Sequence, residues 1–332
     1  MSSSSAAPIV ISPESPFSDL YLGIDAGGTK TSCALIDRNG LVWGQGAGPA
    51  GNFFNTEPGA VAAAVLQARD EALAASNSSP QRIAAAAICL AGFDPAKDEN
   101  RARALLDPVL SPARTVYGRD LDAALAAVCG SGPGLVVIAG TGSVAFGRGA
   151  TGATARAGGW GYMVGDEGSG FWLGSQAIRH TMQAFDGRAA KGVLFDKVCE
   201  KSNTTNALDL EGRVYHERWT PAIFAGYAPL VFDAAGAGDP TALRLVETAA
   251  AELCAQALAV IRRLDLTTAK CGLVGSLWNA GPLLREPFER ALRQNAPGIT
   301  PVTPAITPSE GAALLALAAA GVDVQPEQVR RR

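Results

Sequence analysis

Short apolar runs alternate with alanine- and leucine-rich windows from Tyr21 onward. Short apolar runs bounded by turn residues are typical of buried strands, whereas the longer alanine-rich windows favour helices. Gly27-Gly28 and Asn39-Gly40 mark the turns between the first three strands. Predicted strands cover residues 21–25, 31–37, 41–45, 83–90 and 115–118, and predicted helices cover residues 57–75, 98–107 and 122–128.

The pattern of strand, glycine-rich turn and strand begins again at Gly134. Further strands are predicted over residues 134–140, 142–148 and 270–275, and further helices over 168–185, 239–264, 280–295 and 309–320. Asp239 is the predicted N-cap of the longest helix, with Pro240 at its first position.

Because strands alternate with helices and one supersecondary unit occurs twice, the sequence predicts an α/β protein with two related domains. The predicted domains are residues 20–122 and 123–332, preceded by a disordered tail at 1–19. The helix at 309–321 is a candidate to cross back to the first domain.

Composition narrows the class of protein. Of 332 residues, 48% are hydrophobic and 18% are charged, which is ample apolar material for two cores. The net charge of −3 offers no basic surface to nucleic acid. The six cysteines lack the spacing of a metal site and are expected to be small buried hydrophobes.

The first 19 residues lack the features of a secretory signal, and no run is long enough to span a bilayer, so we expect a cytoplasmic protein without a membrane partner.

A glycine-rich turn follows the first predicted strand, in Asp25-Ala26-Gly27-Gly28-Thr29-Lys30. Glycines let backbone N–H groups approach phosphate oxygens, and Thr29 and Lys30 add further donors. Asp25, at the end of the strand, is a candidate to hold Mg²⁺ through water. Since a strand rather than a helix follows, the turn is predicted to be a phosphate-binding hairpin and not a Walker A loop.

A second turn, Ala139-Gly140-Thr141-Gly142-Ser143, has the same chemistry without the acid. Two such hairpins predict a clamp for a triphosphate. A third glycine cluster, residues 46–51, formally matches the dinucleotide fingerprint, but Pro49 lies inside it and no helix begins in register. We therefore exclude a dinucleotide site there.

The most specific feature is the run Gly158-Gly159-Trp160-Gly161-Tyr162-Met163-Val164-Gly165-Asp166-Glu167-Gly168-Ser169. With the two hairpins and Val274-Gly275-Ser276, it resembles the N-acetylglucosamine kinase group of the sugar kinase, Hsp70 and actin superfamily, which shares a domain with BadF/BcrA-type ATPases. The resemblance extends from about Leu22 to Gly321. It implies two ribonuclease H-like (actin-like ATPase) domains facing a central cleft, ATP and Mg²⁺ as cofactors, an amino-sugar substrate and a homodimer.

The resemblance also implies roles for individual residues. The implied nucleotide-binding residues are Asp25, Gly27, Gly28, Thr29, Lys30, Gly140, Thr141, Gly142, Ser143, Gly275 and Ser276, with Asp25 also at the metal. The implied sugar-binding residues are Asn52, Gly159, Trp160 and Asp166, and the implied catalytic carboxylate is Asp122.

The residues themselves leave two candidates for the catalytic carboxylate. Phosphoryl transfer needs a carboxylate that accepts the proton of the attacking hydroxyl. Asp122 opens the predicted helix after a short strand, which favours it. Asp120, two residues earlier, is the competitor, and it could instead be the N-cap.

The leading hypothesis is an ATP-dependent kinase that phosphorylates the 6-hydroxyl of N-acetylglucosamine. Glucosamine and N-acetylmuramic acid are alternative substrates. An ATP-driven activator of a radical dehydratase shares the fold, but Cys129 is the only cysteine near the second hairpin. A non-catalytic sugar sensor would carry a DNA-binding helix-turn-helix, which the first 19 residues are too short to hold.

Overall fold

The computed structural model describes residues 19–110 and 114–332, so the predicted tail lies outside the described residues apart from Asp19. Chain contacts divide the described residues into two compact units. The first unit contains the residues up to Ala123 together with Pro308–Arg332, and the second contains Ala124–Thr307.

The described strands are β1 Leu20–Ala26, β2 Thr31–Asp37, β3 Leu41–Gly48, β4 Ile83–Leu90, β5 Thr115–Arg119, β6 Gly134–Ala139, β7 Ser143–Arg148, β8 Thr154–Gly158, β9 Ala269–Val274, β10 Ile299–Val302 and β11 Arg330–Arg331. The described α-helices are α1 Pro58–Ala75, α2 Pro95–Leu110, α3 Asp120–Cys129, α4 Gly170–Phe185, α5 Val193–Ser202, α6 Ala207–His216, α7 Pro221–Ala225, α8 Ala228–Gly236, α9 Pro240–Arg263, α10 Pro282–Asn295 and α11 Pro308–Ala319. Short 3₁₀ turns lie at Pro80–Arg82, Ser276–Ala280 and Pro326–Gln328.

The first unit is built on a sheet with the strand order β11-β3-β2-β1-β4-β5. β1, β2 and β3 form an antiparallel meander, and β4 and β5 continue from β1 in parallel. Since parallel strands end at the same edge of a sheet, Ala26, Leu90 and Arg119 lie side by side there. Residues that follow these three strands are therefore brought together.

Glycines let two helices pack directly on strand backbone in the first unit. At Gly23 in β1, a Cβ atom would lie 2.1 Å from the carbonyl oxygen of Ser309 in α11. At Gly46 in β3, a Cβ atom would lie 2.1 Å from the carbonyl oxygen of Ala68 in α1. Only glycine fits such an approach. Helix packing, not a dinucleotide, accounts for Gly46.

The end of the chain belongs to the first unit. β11 pairs in parallel with β3, with Arg330 beside Leu41. The Arg331 guanidinium donates to both carboxylate oxygens of the fully buried Glu310, at 3.0 and 2.8 Å. Residues 322–332, which the sequence pattern assigned to the second domain, therefore lie in the first unit, because this strand pairing and this ion pair hold them there.

The second unit repeats the arrangement of the first. Its sheet has the order β10-β9-β6-β7-β8, in which β6, β7 and β8 form an antiparallel meander and β9 and β10 run parallel to β6. The predicted α/β organisation and its repeated unit are confirmed. β8 was not predicted, because it is short and its burial does not alternate regularly. Each glycine-rich hairpin thus joins the first two strands of a meander.

Two helix starts bear on the site. The Asp239 side chain accepts the N–H groups of Thr241 and Ala242 at 2.9 and 3.0 Å, which confirms the predicted start of α9. α3 begins at Asp120, two residues earlier than predicted. In the part of the chain that the structure describes, no helix combines the length and apolar character needed to cross a membrane.

Candidate active site

The first hairpin, between β1 and β2, is closed by the Gly27 N–H, which donates to the carbonyl oxygen of Lys30 at 2.9 Å. Gly28, Thr29 and Lys30 are exposed. The carbonyl oxygen of Gly27 accepts the N–H of Gly51 at 3.0 Å, which brings the segment after β3 against the hairpin. The turn therefore presents backbone and side-chain donors to solvent while its base is held in place.

Asp25 lies one residue before the end of β1 and is half-buried. Burial raises the pKa of its carboxyl to about 7, and the charge of Asp120 adds to this effect, while the Lys30 ammonium opposes it. Burial and nearby like charge both disfavour ionisation of a carboxyl group. Asp25 and Asp120 are therefore electrostatically coupled at this edge of the sheet.

Asp120 directly follows β5 and is the first residue of α3. One carboxylate oxygen accepts the N–H of Leu121 at 3.0 Å. Burial raises the pKa of Asp120, the backbone hydrogen bond opposes the shift, and the charge of Asp122 adds to it. A carboxylate with a raised pKa beside an exposed phosphate-type hairpin is a candidate proton acceptor.

Asp122 has a different environment, although it lies only two residues further. Its carboxylate accepts the backbone N–H of Arg119 at 2.9 Å and the Nε–H of the same residue at 3.1 Å. A side chain at the third helical position that accepts the N–H of the N-cap residue forms half of a capping box. Asp122 thus stabilises the start of α3.

Asn52, the predicted sugar ligand of the first unit, follows Gly51 at the base of the hairpin. Its Oδ1 accepts the N–H groups of Phe54 and Asn55 at 2.9 and 3.0 Å. Gly92, at φ +74°, packs on this side chain, since a Cβ there would lie 2.8 Å from Oδ1. The side chain is half-buried and its orientation is held by the turn, which leaves the amide N–H groups as the donors for a ligand.

The second hairpin, between β6 and β7, is joined to the start of α4. The carbonyl oxygens of Gly140 and Thr141 accept the N–H groups of Gly170 and Phe171 at 2.8 and 3.0 Å. The Gly140 N–H donates to the carbonyl oxygen of Gly142 at 2.9 Å. Thr141 is exposed at the tip. Backbone hydrogen bonds therefore tie the loop to the start of α4.

Ser143 and Asp166 contact each other in the second unit. The backbone N–H of Ser143 donates to Asp166 Oδ1 at 3.3 Å, and its hydroxyl donates to the carbonyl oxygen of Glu167 at 2.7 Å. A Cβ at Gly142 would lie 2.9 Å from Asp166 Oδ2. Burial raises the pKa of Asp166, the Ser143 N–H opposes this shift, and the charge of Glu167 adds to it. Both Ser143 donors thus point to the 158–169 segment.

The 158–169 segment is unusual in its backbone. Five of its residues have positive φ, namely Gly158, Gly159, Gly161, Asp166 and Gly168. Gly159 packs on Val144 of β7, where a Cβ would lie 3.0 Å from the valine side chain. Trp160 is 63% exposed, with the Arg156 guanidinium 4.1 Å from its ring centroid. Trp160 is therefore not a core side chain, and most of its surface is accessible to a ligand.

A cavity of about 510 Å³ in the second unit joins the second hairpin to the turn after β9. Gly275 has a φ of +105°, and a Cβ there would lie 2.3 Å from the carbonyl oxygen of Ala139, so only glycine fits. Sites for small ligands commonly have this size. The lining residues are Gly140, Thr141, Gly170, Ala222, Ala225, Gly226, Ala228, Pro229, Phe232, Asp233, Ser276, Leu277, Asn279 and Ala280.

The predicted site residues fall into two groups. The first unit contains Asp25, Gly27–Lys30, Asn52, Asp120 and Asp122, and the second contains Gly140–Ser143, Gly159, Trp160, Asp166, Gly275 and Ser276. Sequence reasoning missed the walls of the cavity contributed by α7 and α8. Their small residues have no motif, and only the fold brings them to the hairpin.

Oxygen ligands at Asp25 fit a hard divalent cation. The described residues hold no group of three or more His, Cys, Asp or Glu side chains that could enclose a metal. Mg²⁺ commonly uses one or two carboxylates together with waters and substrate phosphates. The coupled Asp25 and Asp120 carboxylates match that requirement, because a cation would relieve their mutual repulsion.

Comparison with known proteins places these features in context. Residues 22–316 match a profile of the BadF/BadG/BcrA/BcrD ATPase family. The chain is 30% identical to an N-acetyl-D-glucosamine kinase of Dictyostelium discoideum, over 90% of this chain and 98% of that one. It is 28% identical to an N-acetylmuramic acid/N-acetylglucosamine kinase of Clostridium acetobutylicum, over 89% and 97% of the two chains.

Solved structures agree with the fold. A Chromobacterium violaceum protein, provisionally named an N-acetylglucosamine kinase, matches with a TM-score of 0.74 and 29% identity, over 91% of this chain and all of that one. A ROK family glucokinase of Streptomyces griseus matches with a TM-score of 0.55 and 16% identity, over 91% and 99%, which shows the fold alone. The predicted two-domain, actin-like class is confirmed.

Proposed function

Because this chain belongs to the BadF/BadG/BcrA/BcrD ATPase family, we propose that it is an ATP-dependent amino-sugar kinase acting on the 6-hydroxyl of N-acetylglucosamine. Two relatives that the chain covers almost completely are named as kinases of that sugar. The family resemblance found in the sequence is confirmed.

The coupling of Asp25 and Asp120 carries the proposal. Phosphoryl transfer makes few covalent demands on the protein and depends on positioning, charge neutralisation and a proton acceptor. Asp25 and Asp120 both have raised pKa values at the edge where β1 and β5 end, beside an exposed hairpin with the Lys30 ammonium. We assign the Asp25 carboxylate to the cation and the Asp120 carboxylate to the proton of the attacking hydroxyl.

Asp120 is assigned as the proton acceptor in preference to Asp122. The Asp122 carboxylate is held by two donors of Arg119, so a substrate hydroxyl would compete with both. Among the described residues, the Asp120 carboxylate accepts only backbone N–H groups of its own helix start, and burial raises its pKa, which makes it a better proton acceptor than an ordinary aspartate. Asp122 is then the residue that positions the start of α3.

The remaining residues bind and orient the reactants. Mg²⁺, when bound at Asp25, would neutralise charge on the phosphates. Thr141 and Ser276 line the cavity assigned to the nucleotide, and the exposed Gly28, Thr29 and Lys30 of the first hairpin are assigned to phosphate oxygens. Asn52, Gly159, Trp160 and Asp166 are assigned to the sugar. Ser143 orients Asp166 rather than donating to phosphate, since both its donors are engaged.

A second candidate substrate is N-acetylmuramic acid. This sugar carries a lactyl carboxylate, and the Arg156 guanidinium lies over the exposed Trp160 ring. The Clostridium acetobutylicum relative is named for both sugars. We expect Arg156→Ala to reduce activity on N-acetylmuramic acid more than on N-acetylglucosamine. Equal loss on both would remove this candidate's structural support.

The test of the proposed function is ADP release with Mg-ATP and a panel of sugars: N-acetylglucosamine, glucosamine, N-acetylmannosamine, N-acetylmuramic acid and glucose. Turnover on N-acetylglucosamine, with formation of its 6-phosphate by mass spectrometry, is the expected result. ATP binding without turnover on any sugar would overturn it. We also propose a cytoplasmic homodimer, which light scattering and cell fractionation can test.

A further inference from the structure

Gln256 connects the second hairpin to the 158–169 segment. It lies on α9 and is only 8% exposed. Its Nε2 donates to the Ser143 hydroxyl oxygen at 3.2 Å and to the carbonyl oxygen of Glu167 at 3.1 Å. Because the Ser143 hydroxyl also donates to Glu167 at 2.7 Å, the three groups form a closed triangle. One buried amide thus bonds both segments that carry predicted ligand-binding residues.

The chemistry of the partners determines the orientation of this amide. The Glu167 carbonyl can only accept, and the Ser143 hydroxyl has already given its proton to that carbonyl. A flipped amide would turn Gln256 Oε1 toward two acceptors. In the observed orientation Oε1 is buried and has no hydrogen-bond partner among the described residues. A buried amide oxygen without a hydrogen-bond donor costs free energy. The observed orientation accepts this cost at Oε1 and keeps the two hydrogen bonds that Nε2 donates.

The helix face around Gln256 supports the same segment at both of its ends. A Cβ at Gly158 would lie 2.6 Å from Gln256 Oε1. A Cβ at Gly168 would lie 2.6 Å from the carbonyl oxygen of Ala249, which lies about two turns before Gln256 on α9. The segment therefore rests on α9 backbone and side chain at two points. Gln256 supplies the polar contact and Ala249 the steric one.

We infer that Gln256 is a positioning residue of the kinase, which holds the nucleotide hairpin and Asp166 in one arrangement. The inference rests on the proposed function for the roles of these two elements. Gln256 bonds Ser143, and the Ser143 N–H in turn donates to Asp166. Loss of the amide would remove the hydrogen bonds by which α9 holds Ser143 and Glu167. Sugar and nucleotide binding should therefore weaken in the same variant.

The test compares Gln256→Leu, which keeps the volume and removes the donors, with wild type. We expect the KM values for ATP and for the sugar to rise together by about tenfold, because two hydrogen bonds are lost. Gln256→Glu should behave similarly at high pH. At low pH its carboxyl is protonated and can donate a hydrogen bond. The ratio of each KM value of the variant to that of wild type, measured at the same pH, should therefore decrease as the pH is lowered.

Val260→Ala is the matched control, since Val260 lies one turn further on α9 and packs against Gly147 in the core. It should lower the Tm without changing either KM. A purely structural role for Gln256 would give the same result in Gln256→Leu and would overturn the inference. Amide exchange of residues 158–169 should be faster in Gln256→Leu than in Val260→Ala. This readout needs no turnover, so it decides the inference even if the proposed function fails on every sugar.

Discussion

The Asp122 carboxylate bonds Arg119 at two points, the backbone N–H at 2.9 Å and the side-chain Nε at 3.1 Å. The first backbone N–H groups of a helix have no acceptor within the helix. A contact of this kind, within one turn, supplies an acceptor for one of them. Asp120, in the same first turn, accepts the N–H of Leu121 and raises the pKa of the Asp25 carboxyl through its charge. Two acids two residues apart therefore lie in different environments.

Asp120→Asn should abolish most of the turnover, because the amide cannot accept the proton of the sugar hydroxyl. We expect kcat to fall by about 10²–10⁴-fold, while the Kd for the sugar changes little. The measurement is steady-state kinetics on N-acetylglucosamine together with calorimetric binding of the sugar. A kcat close to that of wild type would return the role to Asp122.

Asp122→Asn is the matched comparison, because it makes the same chemical change two residues away. It weakens the contact with Arg119 and should lower stability by about 1 kcal/mol, as loss of a helix cap does. We expect its kcat to stay within about threefold of wild type. A fall in kcat as large as that of Asp120→Asn would contradict the separation of roles proposed for the two acids.

Asp25→Asn should change the pH dependence of stability in the metal-free protein. The pKa of Asp25 is about 7 in the folded protein against an ordinary value of 3.8, so the folded state binds a proton between these values that the unfolded state does not. Stability from this group is therefore present at low pH and is lost as pH rises through about 7. From about pH 5 to about pH 8, we expect the Tm of wild type to fall relative to that of Asp25→Asn.

Mg²⁺ provides the control for this titration. The cation favours the ionised carboxylate, so it should raise the Tm of wild type near pH 8 and should leave Asp25→Asn unchanged. Scanning calorimetry with and without Mg²⁺ measures both effects. If the Tm difference between wild type and variant did not depend on pH, Asp25 would not have a raised pKa.

Ala225→Leu tests the cavity assigned to the nucleotide. Ala225 lines this cavity together with Thr141 and Ser276, and a larger side chain would occupy the space. We expect the Kd for a non-hydrolysable ATP analogue to rise by about tenfold with little change in sugar binding. Ala237→Leu makes the same change at an exposed position after α8 and should bind the analogue normally. Equal affinities for the two variants would place the nucleotide elsewhere.

Much of the fold could be predicted because its signals are local. The Gly27-Gly28 turn, the apolar runs of β1 and β4, and Asp239 with Pro240 at the start of α9 each act within a few residues. The glycine loops could be identified for the same reason. Their shared position in the two meanders followed from the repeated unit.

The parts of the site that could not be predicted depend on contacts between distant residues. Gln256 lies 113 residues from Ser143 in the chain, and no periodicity distinguishes it from the apolar residues of its helix face. The donors of Ser143 look available in the sequence, and only the fold brings the Asp166 carboxylate to its N–H and the Glu167 carbonyl oxygen to its hydroxyl. The assignment of Asp120 over Asp122 needed the pairing of β5 with β4, which places Asp120 beside Asp25.

Trp160→Ala should weaken sugar binding without a loss of stability. The ring is largely exposed and its contact with Arg156 contributes only about 0.5–1 kcal/mol. We expect the sugar KM to rise about tenfold, the Kd for the nucleotide analogue to stay unchanged, and Trp160→Phe to be intermediate. Met163→Ala, in the same segment and also largely exposed to solvent, is the control and should bind sugar normally. Similar KM values for both variants would remove Trp160 from the sugar site.

Arg331→Ala should destabilise the first unit, although it lies at the end of the chain. It would remove the guanidinium that bonds both oxygens of the fully buried Glu310 carboxylate, whereas the neutral Gln45 amide at 3.2 Å would stay. Removing one partner of a buried ion pair leaves a charge uncompensated, and we expect a loss of about 2–3 kcal/mol. The double variant Glu310→Gln with Arg331→Ala should recover part of this loss, because the amide buries no charge. Thermal unfolding and amide exchange in β3 measure the effect, with the exposed Arg330→Ala as control. A single variant as stable as that control would contradict the expected loss.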